Sequence, residues 1–162
     1  VVFLVRVLCA VFLVLLPTAS FAGAPVTPTY THSAVDATSG SIGLRFEFGD
    51  VVKPSIVGAV RQTHTTTNND VTGILTDIAI PLNPESNFLP TIRVMGVFGG
   101  TNTQGLGGFG FDFSENQAFL GLGLQGGHLE GGVHLDTTGT FIPYVGVSNY
   151  GAAPTRTTTV VK

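Results

Sequence analysis

In Ile42-Gly43-Leu44-Arg45-Phe46-Glu47-Phe48 every second residue is Ile, Leu or Phe, and the residues between them are Gly, Arg and Glu. Successive side chains of an extended chain point to opposite faces, so this alternation makes a β-strand with one apolar and one polar face. Related segments follow at 54–63, 70–81, 88–98, 104–113, 117–125, 128–136 and 140–150. They are separated by clusters such as Thr65-Thr66-Thr67-Asn68-Asn69, Asn83-Pro84-Glu85-Ser86, Ser114-Glu115-Asn116 and Thr137-Thr138-Gly139, which are turn chemistry. Gly126-Gly127 fits a two-residue hairpin loop. Pro54, Pro90 and Pro143 stand near strand starts, where a missing N–H is tolerated. No segment with helical period competes. The expected fold is all-β: a closed antiparallel up-and-down barrel of about eight strands.

Residues 1–22 read as a secretory signal. Arg6 precedes an apolar stretch from Val7 to Leu16, Pro17 breaks it, and Ser20-Phe21-Ala22 places small residues three and one positions before a cut ahead of Gly23. The lone cysteine, Cys9, lies inside that stretch and would leave with it, which excludes disulfides and thiolate chemistry from the mature chain. Residues 23–40, rich in Pro, Thr and Ser, read as a leader, 41–150 as the barrel, and 151–162 as a tail or one more weak strand. The net charge of −3 and the lack of a basic stripe make nucleic acid an unsuitable partner. After the signal no apolar run is long enough for a spanning helix, so a membrane could be crossed only by a barrel.

Charged residues set the phase of each strand, because an Arg facing lipid at mid-bilayer costs about 2–4 kcal/mol. Turning Arg45 and Glu47 inward sends Ile42, Leu44, Phe46 and Phe48 outward. The same step with Arg61, Asp77, Arg93 and Asp112 puts Ile56 and Val60, Ile74, Ile78 and Ile80, Ile92 and Val94, and Phe109, Phe111 and Phe113 on the outside. On 128–136, His128, Glu130, His134 and Asp136 share the face opposite Leu129, Val133 and Leu135. The expected lumen network is therefore Arg45, Glu47, Arg61, Asp77, Arg93, Asp112, His128, Glu130, His134 and Asp136. A soluble barrel would invert this assignment, with the apolar side as core. Export, the lack of cysteine braces and charges placed mid-strand favour a transmembrane barrel.

The signal, the alternating segments across 41–150 and the phrase Pro143-Tyr144-Val145-Gly146-Val147 make the chain resemble the small bacterial outer-membrane barrels, such as the OmpA transmembrane domain and OmpX. The resemblance implies a bacterial outer-membrane address, outer-membrane lipid and the barrel assembly machinery as partners, and a monomer. Tyr150 is the residue available as the terminal aromatic that such barrels present for assembly. The loops are short, unlike the long surface loops of many of these proteins, which disfavours adhesion and receptor roles.

His and carboxylates on one wall of 128–136 could hold a metal or carry out acid–base chemistry. The need of buried charges for partners accounts for them equally well. Gly105-x-Gly107-Gly108-x-Gly110 has no following helix and does not read as a phosphate loop. No catalytic residue, cofactor or metal is expected, and the chain does not read as an enzyme. Three readings follow: a structural or envelope-interaction barrel with a largely plugged lumen, a narrow porin-like channel, and a soluble periplasmic barrel with an apolar ligand. The channel reading rests on inward glycines that thin the plug, Gly43, Gly108, Gly110, Gly121, Gly123 and Gly132.

Overall fold

The computed structural model describes residues 29–83 and 88–161. The signal at 1–22, the first part of the leader and most of the Asn83–Ser86 turn lie outside the described residues. The described residues form ten strands: β1 (Thr29–Ser33), β2 (Val35–Phe48), β3 (Val52–Thr65), β4 (Asp70–Pro81), β5 (Thr91–Gly100), β6 (Thr103–Asp112), β7 (Gln117–Gly126), β8 (Leu129–Asp136), β9 (Phe141–Ser148) and β10 (Thr157–Val161).

Strands β2 to β9 form a closed antiparallel barrel, each paired with its neighbour in sequence. Closure is made by β2 against β9, from Gly43 opposite Ser148 to Glu47 opposite Tyr144. The chain is all-β, up-and-down and eight-stranded in the barrel. The two end strands, β1 and β10, do not join it; they pair with each other as a separate two-stranded sheet.

Most strand boundaries shift from the sequence reading, and two of the shifts matter. β2 begins at Val35, so 35–40 belong to the barrel and not to the leader. Its Thr, Ser and Gly residues look like linker, but the whole run pairs with β3, from Val35 opposite Thr65 to Gly40 opposite Val60. The tight β7–β8 turn is Gly127-His128, one residue later than expected, with Gly127 at φ 56°.

The alternation partitions the barrel wall cleanly. Outward positions on the eight strands carry a titratable side chain only at Asp36, His64 and Asp70. All three lie at the end where β2 begins and β9 ends: Asp36 stands opposite His64 across β2 and β3, and Asp70 opposite Gly100 at the end of β5. The remaining outward wall is Ile, Val, Leu, Phe, Gly, Ala, Pro, Gln and Thr. Ile42, Val60, Ile74, Phe98, Phe109, Leu120, Leu122, Leu124, Leu129 and Phe141 are all exposed, Leu122 by 63%. Inside, Arg45, Arg61, Asp77, Arg93, Gln104, Gln125 and His134 are buried. The usual arrangement of a water-soluble protein is reversed.

The two ends differ. At the end where β2 begins and β9 ends, the connections 66–69, 101–102 and 127–128 are two to four residues long. The opposite end carries 49–51, 113–116, 137–140 and the longer 82–90. Phe48, Phe88, Phe113 and Phe141 are exposed at or beside that second end.

Candidate functional site

The lumen is organised around Arg93, which is fully buried on β5. Its Nε and Nη2 donate to Asp77 Oδ2 at 2.9 and 2.6 Å, and Nη2 also donates to Glu130 Oε1 at 2.7 Å. Arg93 lies directly opposite Asp77 in the β4–β5 register, so the pair is fixed by strand alignment. Arg45 Nη2 reaches the other oxygen of Asp77 at 3.0 Å, making Asp77 a bridge between two guanidinium groups. Arg93 Nη1 lies 3.2 Å from His134 Nε2. A guanidinium can only donate, so Nε2 accepts and the ring proton sits on Nδ1, which faces Glu47 Oε1 at 3.5 Å. Buried charges need such saturation, because an unpaired one costs several kcal/mol.

Aromatic rings pack this layer. His134 stacks on Tyr144 with centroids 4.5 Å apart, and Phe119 covers its other face at 4.3 Å. The guanidinium carbons of Arg93 and Arg45 lie 5.0 and 5.6 Å from the centre of the Tyr144 ring, within cation–π range. The inward glycines are where these rings fit. A Cβ on Gly132 would approach the Tyr144 hydroxyl to 2.8 Å, Gly123 faces the same hydroxyl, and Gly110 faces the Phe119 ring. Met95 occupies the space in front of Gly121. At these positions the small residues are filled by a neighbour and leave no path.

Arg61 forms a second centre. It donates Nη1 to Gln104 Oε1 at 2.6 Å and Nη2 to Gln125 Oε1, and its guanidinium lies 4.0 Å from the centre of the Tyr150 ring. The Gln104 amide donates to the Gly100 and Thr101 carbonyls at 3.1 Å, which turns its oxygen toward Arg61. Nearer the end where β2 begins and β9 ends, Val71, Leu75, Met95, Val97, Leu106 and Ala153 form a buried apolar cluster. Ala153 belongs to the segment after β9, which crosses the barrel end. That segment is held by Ala153 N to Thr101 O, Thr65 Oγ1 to Pro154 O, and Arg156 to Asn69 and Thr67.

At the opposite end a cavity of about 630 Å³ opens, lined by Glu47, Asp50, Lys53, Asp112, Glu115 and Asp136 among others. Asp112 and Asp136 spend their carboxylates on the adjoining turns: Asp112 accepts from Ser114 N and Oγ, and Asp136 from the amides of Thr138 and Thr140. Lys53 pairs with Glu115 across the mouth.

Of the ten residues expected in the lumen, the structure brings Arg45, Glu47, Asp77, Arg93, Glu130 and His134 into one connected layer. Arg61 is inside but bonded to amides. Asp112 and Asp136 cap turns at the cavity mouth. His128 is a correction: it is exposed in the β7–β8 turn, with its Nδ1 3.1 Å from the Ser148 carbonyl. The one-residue shift of the turn ends the strand before it reaches His128. Tyr144, Phe119, Gln104, Gln125 and Tyr150 are central and were not in the expected set. Gln104 shares the parity of Asp112, and Gln125 that of Gly121 and Gly123, so their inward placement was readable; their partners were not. Among the described residues no three His, Cys, Asp or Glu side chains converge as a metal site would require.

The fold and lumen together define a closed eight-stranded barrel, apolar on its outer wall and charged within. No protein-family model matches this chain, and neither a curated protein nor a solved structure matches it.

Proposed function

We propose that this protein is a small integral outer-membrane barrel with a structural or envelope-interaction role, its lumen plugged by its own side chains. The observation that carries the reading is the reversed wall: an outer face without Glu, Lys or Arg, whose two Asp residues, Asp36 and Asp70, stand at one end, around an interior that buries three arginines. In water, a continuous belt of exposed Ile, Leu, Val and Phe would drive association. In lipid it is what a barrel needs, and closure leaves no unpaired strand edge in the hydrocarbon. Short turns at the end where β2 begins and β9 ends, and longer connections at the other, match the periplasmic and outer sides of such barrels.

Fractionation of expressing cells, with heated and unheated membrane samples run on a denaturing gel, tests this reading. Recovery in the outer membrane with a heat-dependent mobility shift is the expected result. Recovery in the soluble periplasm without a shift overturns it. The Arg93–Asp77–Arg45 layer and the rings filling Gly123 and Gly132 argue for a closed barrel over a channel. No conductance above background is therefore expected in planar bilayers.

A further inference from the structure

Arg61 is 3% exposed, and among the described residues it forms no ion pair. Its partners are two neutral amides and the face of Tyr150, and its Nε–H has no protein acceptor. A guanidinium carries a positive charge and only donates hydrogen bonds, so its place in the interior calls for a counter-charge that two neutral amides do not supply. Arg45, 2% exposed, likewise has one donor, Nη1, without a partner. Both arginines line one small cavity of about 30 Å³, together with Ser41 and Ser148. That space suits a water molecule or one monatomic anion. Asp77 and Glu130 also line it, but their carboxylates already accept from Arg45 and Arg93.

We propose that Arg45 and Arg61 hold a small monovalent anion of halide size in this lumen cavity, as the missing counter-charge of Arg61. Two buried, unpartnered donors on arginines that line one cavity are the usual sign of a bound ion or ordered water, and only an anion also offsets the charge. The carboxylates of Asp77 and Glu130 on the same wall set the selectivity: they repel divalent anions, and the volume excludes larger oxyanions.

The probe is bromide, applied to the full chain in detergent micelles. Thermal midpoints in bromide are compared with those in gluconate at equal ionic strength. A saturable rise of roughly 5 °C in bromide is expected, absent in Arg61→Gln and Arg61→Met. Equal midpoints in the two anions, or the same rise in either variant, overturn the proposal. Should neither variant fold, crystals of the unaltered protein in bromide decide it. An anomalous peak between Arg45 Nη1 and Arg61 Nε supports the site, and its absence at saturating bromide refutes it. Neither readout depends on where in the cell the barrel resides.

Discussion

Asp77 is the residue on which the charged layer turns, since one carboxylate serves both Arg45 and Arg93. Asp77→Asn leaves two guanidinium groups without their shared partner and is expected to cost about 3–5 kcal/mol. A urea titration of the barrel refolded in lipid would show it as a lower midpoint. An unchanged midpoint would mean the layer is held by packing. Tyr144→Ala removes the ring that His134 stacks on and that fills the space before Gly123 and Gly132. The resulting void should cost about 3–5 kcal/mol in the same assay. Gly132→Val is the complementary change: it forces a side chain against Tyr144 and the β7 backbone, with an expected loss of about 1–3 kcal/mol. Six of the ten residues assigned to the lumen from strand parity form one layer. Tyr144 escaped because its strand lacks a charge to set the phase: Phe141-Ile142-Pro143-Tyr144-Val145 is apolar on both faces.

At the level of the element, β7 gives the sharpest test of what the outer wall faces. Leu120, Leu122 and Leu124 stand exposed on one side while Phe119, Gly121 and Gln125 point inward. Leu122→Arg near the strand centre should destabilise a lipid-embedded barrel by about 2–4 kcal/mol. On a water-facing wall the same change would be neutral or would improve solubility, so the sign of the effect separates the two environments. β2 teaches a different lesson. Its Ala37-Thr38-Ser39-Gly40-Ser41 start has linker composition, yet it is strand because β3 offers a full row of partners. Composition reports what a segment can bury, whereas pairing depends on what lies beside it.

For the whole molecule, the proposed membrane location gives the barrel a direction, which the asymmetry of its ends predicts. No cysteine lies in residues 10–162, so single cysteines can be introduced there for labelling. Asn116→Cys is expected to react with an impermeant maleimide on intact cells, and Asn102→Cys only after the outer membrane is opened. The reverse pattern would invert the orientation. The segment after β9 closes the end where β2 begins and β9 ends by seating Ala153 on Val71, Leu75, Met95, Val97 and Leu106. Removing 151–162 should lower stability without opening a conducting path, because the Arg45–Asp77–Arg93 layer remains below it.

Strand number, closure and the sorting of side chains between two faces were legible in the linear chain, because a period of two is a local property of extended backbone. Ile42 to Phe48 and Ala118 to Gln125 declare their faces without reference to any other segment. The contacts inside the barrel are of another kind. That Arg93 meets Asp77, that Arg61 meets Gln104 and Gln125 in place of an acid, and that β1 pairs with β10 outside the wall all follow from register and stagger around a closed sheet. Each joins residues from separate strands, and a shift of one residue in any pairing would reassign it.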